Sequence, residues 1–196
     1  RAPTEGSYGL YVGRLESEKG GVTLLRALEH LRGVPLLIRG EGRLLPDFEW
    51  TIREKGLDNV RIVGRLNRDD LTRLVKGARF LIWPSEGYYE TFGMVAVEAF
   101  ACGVPVVASR TGVATNLVTH NLTGVFFDPG DPRDLAEKAL SAWGNASHTA
   151  WMGTNARREY EQKYTEGRNY QMLMGVYQRL LAVDGASDES SRLGGA

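Results

Sequence analysis

Two glutamates with seven residues between them give the clearest chemical signal in this chain. Glu90 lies shortly before Gly93, where an apolar run has ended and a segment of helical period begins. The free N–H groups and positive dipole end of such a helix attract a diphosphate or the hydroxyls of a sugar. Glu98 lies inside the apolar helix, where a carboxylate calls for a partner, and a ribose diol can donate two hydrogen bonds to it. Spacing alone favours the alternative, in which Glu90 caps the helix and Glu98 faces solvent.

The loop after the first apolar run places two cations beside glycines. Arg14 and Lys19 lie within Gly13–Gly21, together with three glycines. Amide groups, a helix N-terminus and two positive charges form a cradle for a diphosphate. The loop matches neither the Walker sequence nor GxGxxG, so the alternative is that both cations point into water. Ligands of open parallel sheets lie beyond the carboxyl ends of the strands, and we predict that this loop and the Glu90 loop converge there.

Three further turns extend the predicted rim of that site. Gly40–Gly42 and Gly64–Leu66 follow the second and third apolar runs, and their glycines permit close approach of a nucleobase. Ser109–Ala114 follows the fifth run and offers Arg110 as a contact for the phosphates. Each of these segments taken alone is more often just a turn.

Short apolar runs alternate with segments of helical period along most of the chain, a pattern typical of βαβ units around a parallel sheet. We predict an α/β, Rossmann-like three-layer α/β/α domain over residues 1–183, with a six-stranded parallel sheet. The predicted strands are Gly9–Val12, Leu36–Arg39, Val60–Val63, Phe80–Trp83, Val104–Ala108 and Val125–Phe127. The predicted helices between and after them are Val22–Leu31, Leu44–Lys55, Arg68–Lys76, Met94–Cys102 and Arg133–Trp143, and Asn67 and Asp131 are expected to cap two of these.

The sheet pattern stops near Thr149, and residues 149–183 are predicted to form closing helices, Ala150–Tyr164 and Gly167–Leu181. Large side chains on these helices are expected to pack inward as core: Trp151, Tyr160, Tyr164, Tyr170, Met174 and Tyr177. Residues 184–196 are small, polar and glycine-rich, and we predict a disordered tail there.

Composition excludes several classes of function. Lys plus Arg equal Asp plus Glu at 24 each, so no bulk charge favours nucleic acid as a partner. Cys102 is the one cysteine and the three histidines are scattered, which predicts neither a disulfide framework nor a metal site and favours the cytoplasm. The sequence shows no signal-peptide pattern and no apolar stretch of membrane-spanning length, and a core strand only seven residues from the start suggests a domain cut from a longer protein.

Five segments carry a resemblance to a known family. They are GRLESEKGG, GEG, VRIVGRL, WPSEGYYETFGMVAVEAFACGVPVVAS and TGVFFDPGDPRDLAEKA, and the resemblance extends over roughly Tyr8 to Trp143. In order and spacing they resemble the C-terminal domain of family-four retaining glycosyltransferases. The resemblance implies one half of a GT-B fold, in which two Rossmann-like domains face each other across a cleft and the C-terminal one holds a nucleotide-sugar donor.

The same resemblance implies roles for individual residues. Arg14 and Lys19 match the diphosphate-binding pair, Glu90 the residue that contacts donor-sugar hydroxyls, and Glu98 the ribose ligand. The implied catalytic residues are Arg14, Lys19 and Glu90. The implied donor-binding residues are Gly13, Arg14, Lys19, Gly40, Arg65, Leu66, Glu90, Thr91, Phe92, Gly93, Met94 and Glu98.

The resemblance also implies what accompanies the donor. It predicts no metal and no cofactor, because the nucleotide diphosphate sugar, of UDP or GDP type, is a substrate. The implied partner is an N-terminal acceptor-binding domain missing from this chain, through which the full enzyme would make peripheral membrane contact. Without that half, we expect donor binding but no completed transfer.

One segment departs from the family pattern, and other functions stay open. Thr111-Gly112 and Asn116 stand where relatives commonly have two glycines and then an acidic residue, which leaves contacts from that loop in doubt. The main alternative is a stand-alone nucleotide-sugar-binding module that works with a separate acceptor-domain chain. A hydrolysing sugar-nucleotide epimerase and a domain without any ligand are the remaining alternatives, and the sequence offers less for either.

The ribose role of Glu98 predicts a selective loss of affinity. Glu98→Ala should weaken ribonucleotide binding by about tenfold, because a charged acceptor of two hydroxyl donors is removed. Binding of 2'-deoxy nucleotides should change less, since half of the diol is absent in them. Calorimetric titration of both nucleotide series measures this difference, and equal losses would count against the role.

Overall fold

Six parallel strands form one sheet in the order β3-β2-β1-β4-β5-β6. The computed structural model describes residues 6–86 and 90–192, and the side chains of 6–86 and 90–179. The strands are β1 Tyr8–Val12, β2 Leu36–Arg39, β3 Val60–Val63, β4 Ala78–Trp83, β5 Val106–Ser109 and β6 Gly124–Phe127. Each lies within two residues of its predicted bounds, so the predicted Rossmann-like sheet is confirmed.

The strand order creates a switch point between β1 and β4. β1 pairs in parallel with β2 on one side and with β4 on the other, with Tyr11 opposite Ile82 in the register. The chain builds outward from β1 to β3, then returns to start the second half at β4. Loops leaving two such central strands diverge to opposite sides, and the crevice between them is the usual ligand site of this architecture.

Helices flank the sheet and return the chain for each parallel strand. The first six are α1 Gly21–Ala27, α2 Leu45–Glu54, α3 Arg68–Lys76, α4 Met94–Ala101, α5 Gly112–Leu117 and α6 Pro132–Gly144. The predicted helix Val22–Leu31 is α1 followed by a 3₁₀ turn, Leu28–Leu31. A second 3₁₀ turn, Ser17–Lys19, and α5 both lie where loops were expected. These short elements were missed because neither is long enough to show an apolar period.

Two predicted caps are confirmed. The Asn67 side chain accepts from the Asp70 amide at 2.9 Å at the start of α3. The Asp131 side chain accepts from the amides of Arg133 and Asp134 at 2.8 and 3.0 Å at the start of α6, where Pro132 occupies the first turn. Each cap satisfies amide donors that have no partner within the helix.

Two compact units divide the chain, residues 1–159 and 160–196. α7 covers Ala146–Lys163 and α8 covers Glu166–Arg192. α8 thus continues through residues 184–192, which belong to the tail predicted to be disordered. Residues 193–196 lie outside the described residues.

The inward packing predicted for six large side chains of α7 and α8 is wrong at four positions. The exposed ones are Trp151, Tyr170, Met174 and Tyr177, with exposed fractions of 49%, 64%, 36% and 53%. Tyr160 and Tyr164 are partly buried. The buried stripe of α7 consists instead of small or flexible residues at helical spacing, Thr149, Met152, Gly153 and Ala156. Close packing requires glycine at position 153, since a Cβ there would lie 2.3 Å from the Gly103 carbonyl oxygen.

Close approach of the β1 loop to the end of β4 requires Gly20. Its φ is +71°, and an added Cβ would lie 1.8 Å from the Pro84 carbonyl oxygen. Gly20→Ala should therefore lower the free energy of unfolding by about 2–4 kcal/mol, from backbone strain and a clash with main chain. Urea unfolding measures the loss.

Gly144→Ala is the matched control, because a Cβ at Gly144 meets nothing within 4 Å. It should leave stability unchanged or raise it by up to about 1 kcal/mol through helix propensity. Equal stability of the two variants would contradict the close approach of Gly20 to Pro84.

Candidate functional site

A cleft of about 150 Å³ opens at the carboxyl ends of β1 and β4. Its wall is built from the ends of both strands, the loops that follow them and the first turn of α4. The lining residues are Tyr11, Val12, Gly13, Lys19, Trp83, Pro84, Ser85, Glu90, Met94 and Val95. The two loops predicted to converge therefore meet at the switch point of the sheet.

An ion pair between the two loops forms the centre of the cleft. Lys19 Nζ donates to Glu90 Oε2 at 2.8 Å, across 71 residues of sequence. Both side chains are largely withdrawn from water, with exposed fractions of 22% for Lys19 and 19% for Glu90. Partial burial reduces screening and makes such a pair stronger than one on an open surface. An ammonium and a carboxylate thus stand side by side in one cavity.

Glu90 also holds the start of α4. Its Oε1 accepts from the Gly93 amide at 3.2 Å, and Gly93 is the residue that precedes the helix. Gly93 has φ +76°, and a Cβ there would lie 2.5 Å from the Trp83 ring, so glycine is required by both conformation and space. The Glu90 carboxylate therefore holds the helix start, as the alternative interpretation predicted, and it also lines the cleft.

A network of hydrogen bonds beneath the cleft ties the two loops together. The Glu86 amide and the Ser85 hydroxyl donate to the Glu18 carbonyl oxygen at 3.3 and 3.5 Å. The Thr23 hydroxyl on α1 donates to the Glu86 carboxylate. Thr111 adds the loop after β5, since its hydroxyl donates to the Ser85 carbonyl oxygen at 3.2 Å. These contacts fix the loop that carries the cation relative to the loop that carries the carboxylate.

Arg14 lies at the outer edge of the same loop. Its side chain is 65% exposed, and its guanidinium lies 3.5 Å from the Glu18 carboxylate. Tyr11 fixes the backbone here by donating its hydroxyl to the Arg14 carbonyl oxygen at 2.7 Å. Burial raises the pKa of Tyr11, and the Glu90 charge adds to that rise while Arg14 opposes it. The phenol is therefore a neutral donor at any physiological pH, and Arg14 is a cation able to turn toward an incoming anion.

The other predicted rim residues differ in how near the cleft they lie. Gly40 is buried against Gly13, because a Cβ at Gly40 would lie 2.4 Å from the Gly13 carbonyl oxygen. Arg65 is exposed and Leu66 partly buried after β3, two strands away from β1 in the sheet. Within the described part of the chain, neither of them lines the cleft.

The loop before α4 contributes mainly exposed side chains. Thr91, Phe92 and Met94 are all exposed, with fractions of 49% for Phe92 and 55% for Met94. Met94 lines the cleft, and Phe92 and Thr91 lie just before it in sequence. These residues leave apolar surface at the mouth of the cleft, where a ligand larger than its interior would lie.

Glu98 is exposed, so the argument that an apolar helix forces it to find a partner is wrong. The inward face of α4 consists of Ala96, Val97, Ala99 and Phe100, and Glu98 lies between those positions on the outer face. It follows Met94 by four residues and therefore shares the face that borders the cleft, one turn farther along. A ligand that extends from the cleft along α4 would meet Glu98.

Sequence reasoning missed several groups that shape the site. Tyr11 and Trp83 were assigned to strands, Ser85 only to a segment, and Thr111 only to a departure from the family pattern. The sequence did hold one signal for them, since these side chains carry polar groups and lie at or just after the ends of predicted strands. The indole nitrogen of Trp83 and the Ser109 hydroxyl are both buried, and neither has a hydrogen-bond partner among the described residues.

Two negative findings concern the described residues. Among the described side chains, those of 6–86 and 90–179, no group of three or more His, Cys, Asp and Glu is placed to hold a metal ion. No helix in the same residues is long and apolar enough to cross a membrane.

The family match and the similar proteins of known sequence point to the same family. Residues 1–159 match the family described as Glycosyl transferases group 1. An uncharacterized glycosyltransferase from Methanocaldococcus jannaschii is 32% identical over 178 residues, covering 90% of this chain and 50% of that protein. The chain thus spans about half the length of the curated relatives it matches.

Solved structures show the same fold. HepE from Anabaena, solved in complex with UDP, is 27% identical with a TM-score of 0.77, over 89% of this chain and 49% of that one. The C-terminal domain of LpcC, a group 1 family glycosyltransferase from Francisella tularensis, is 18% identical with a TM-score of 0.74. The match covers 85% of this chain and 94% of that domain. The latter likeness shows the fold alone.

The ion pair in the cleft predicts energetic coupling between its two loops. Lys19→Met and Glu90→Gln should each destabilise the fold, because each leaves a partly buried charge without its partner. The double variant should recover part of that loss, giving a coupling energy of roughly 1–2 kcal/mol in a double-mutant cycle. Additive losses in urea unfolding would mean that the pair contributes nothing to holding the loops together.

Proposed function

The chain belongs to the Glycosyl transferases group 1 family, and from this premise we propose that it is the nucleotide-sugar-binding half of a retaining glycosyltransferase. In this proposal it binds the donor by itself and does not complete transfer. The observation that carries the proposal is the Lys19–Glu90 pair in a cleft at the switch point of the sheet.

The pair offers complementary groups to the diphosphate and to the sugar of a nucleotide diphosphate sugar. Lys19 and Arg14 supply positive charge for the diphosphate, and Glu90 accepts hydrogen bonds from sugar hydroxyls. The Lys19 ammonium has three N–H donors, so it can keep its bond to Glu90 while donating to a phosphate oxygen. The exposed Arg14 exchanges its 3.5 Å contact with Glu18 for a contact with the diphosphate.

The remaining donor groups extend from the cleft in the proposed complex. Glu98 accepts from the ribose diol one turn along α4, and the turns at Gly40, Arg65 and Leu66 border the base. In the proposed complex the backbone at Thr91, Phe92 and Met94, before and at the start of α4, faces phosphate and sugar, and the Gly93 amide keeps its bond to Glu90. Gly13 supports close approach at the floor of the cleft, which it lines.

The proposed reaction needs no protein nucleophile. The bond between the anomeric carbon and the diphosphate oxygen breaks, and the acceptor hydroxyl oxygen bonds to the same face of that carbon. The acceptor proton passes to the departing diphosphate, which leaves with the bonding electron pair. Arg14 and Lys19 stabilise the charge that develops on the leaving group, and this electrostatic term is the main catalytic contribution of the chain. Retention is proposed from the resemblance of the motifs to family-four enzymes.

The half-length match to its relatives supports a second domain, outside these residues, in the full enzyme. Facing domains in GT-B enzymes divide donor and acceptor binding, so we assign the acceptor to an N-terminal half and place any peripheral membrane contact there. A UDP-type donor is favoured over GDP because HepE was solved with UDP. The single cysteine favours a cytoplasmic protein. A stand-alone module that pairs with a separate acceptor chain would use the same cleft.

Calorimetric titration of the chain tests donor binding directly. UDP, GDP, ADP and their sugar conjugates are titrated without added metal into the wild type and Lys19→Ala. We expect one nucleotide series to bind, and Lys19→Ala to weaken it by about tenfold or more through loss of a charge-assisted hydrogen bond. Arg14→Ala should weaken it in the same direction.

Lys55→Ala serves as the control, because Lys55 also forms an ion pair, with Glu29 at 3.3 Å, but on the exposed surface. It should bind like the wild type. Unchanged affinity in a folded Arg14→Ala/Lys19→Ala double variant would refute the site, and binding of no nucleotide would refute the claim that this half suffices for donor binding.

A further inference from the structure

A second cleft lies at the edge of the sheet opposite the first. It has a volume of about 200 Å³, and the polar residues of its lining are His120, Asn121, Lys138, Ser141, Asn145, His148 and Thr149. His120 pairs with Gly124, the first residue of β6, which places the cleft at the amino end of that strand. The strands are parallel, so the Lys19–Glu90 cleft lies at the other ends of the strands.

Hydrogen bonding within the protein fixes His120 as a donor. Its Nδ1 accepts from the Phe126 amide at 3.1 Å, and its ring stacks on that of Phe126 with centroids 5.8 Å apart. A neutral imidazole whose Nδ1 accepts carries its proton on Nε2. The residue therefore offers an N–H group rather than an acceptor to a ligand in the cleft.

The side-chain amide of Asn145 is likewise oriented as a donor. Its Oδ1 accepts from the His148 amide at 3.2 Å at the start of α7, which leaves the side-chain NH₂ group as the donor. The nearby Thr149 hydroxyl is used within the protein, since it donates to the Ala142 carbonyl oxygen at 2.7 Å. The acceptor atoms of His120 and Asn145 are thus engaged internally, while their donors are not committed to those bonds.

Positive charge accompanies these donors. Lys138 lines the cleft and is held by Asp134 and Glu137 at 3.0 and 3.1 Å, both outside the lining. The Arg110 guanidinium lies 5.2 Å from the centroid of the Phe126 ring on which His120 stacks. Partial burial lowers the pKa of His120, and the charges of Arg110 and Lys138 lower it further. An anion among these groups would offset that repulsion.

We propose that this second cleft binds a phosphate group, free or as the monoester of a small molecule. Its donors come from three separate segments: His120 before β6, Lys138 on α6 and Asn145 at the junction of α6 and α7. A tetrahedral phosphate has three terminal oxygens to accept from three directions, whereas a carboxylate has two in one plane. The described lining contains no carboxylate, and the two that pair with Lys138, Asp134 and Glu137, lie outside it.

The three histidines of the chain make the site directly observable. Inorganic phosphate is titrated into the protein while the ring proton signals are followed by NMR, each assigned by a His→Gln variant. The signals of His120 and His148 should shift saturably, and the exposed His30 should not. The pKa of His120 should rise when phosphate is bound, because the anion stabilises the imidazolium. Glycerol phosphate, run in parallel, separates an ester ligand from the free ion by its relative affinity.

Asn145→Asp is the sharpest variant, because aspartate also caps helices and so preserves the start of α7 while replacing the donor with a negative charge. It should weaken phosphate binding by about tenfold or more. Lys138→Met should weaken it as well, and Lys19→Ala should leave it unchanged.

Three results would overturn the proposal. One is equal shifts of all three histidines, which indicate a general effect of salt. Another is loss of the His120 shift in Lys19→Ala, which places the bound phosphate in the first cleft. The third is wild-type phosphate affinity in a folded Asn145→Asp variant.

Discussion

The close approach of the β1 loop to the end of β4 is the constraint on which the candidate site depends. Gly20 allows it, because a Cβ at this position would lie 1.8 Å from the Pro84 carbonyl oxygen. The neighbouring Lys19 then reaches Glu90 at 2.8 Å, and Glu90 in turn holds the Gly93 amide before α4. One steric requirement thus sets the position of a cation, a carboxylate and a helix N-terminus.

Charge balance within the first cleft follows from the same arrangement. Lys19 is paired with Glu90 and Arg14 with Glu18, so each cation has a nearby carboxylate. Unpaired, partly buried charges would destabilise the fold, and these pairs limit that cost. In the proposed complex the diphosphate would meet cations that are already positioned: Lys19 keeps its bond to Glu90, and only Arg14 exchanges its carboxylate partner.

Sequence patterns predicted the fold because its signals are local and repeated. The strands are apolar runs bounded by glycine, proline or polar residues, and the Asn67 and Asp131 caps are readable from residue type and position. The convergence of the first and fourth loops was also predictable, since parallel strands put both at one edge of the sheet.

Other features escaped prediction because they depend on tertiary packing. The aromatic stripe of α8 shows a helical period, but periodicity does not say which surface covers it, and Tyr170 and Tyr177 are exposed. The buried face of α7 is set by the approach of Gly153 to Gly103, a contact across 50 residues of sequence. The expectation that Glu98 needs a partner was wrong for a related reason. Apolar neighbours in the sequence do not by themselves place a side chain on the inward face of a helix.

The role of Lys19 as the diphosphate ligand is the central claim, and the number of phosphates on the nucleotide tests it most directly. Calorimetry of the wild type and Lys19→Ala compares the affinities of a nucleoside diphosphate and the corresponding monophosphate. We expect the wild type to prefer the diphosphate and Lys19→Ala to lose most of that preference, while the affinity of the variant for the monophosphate changes little. An undiminished preference in a folded Lys19→Ala variant would contradict that claim.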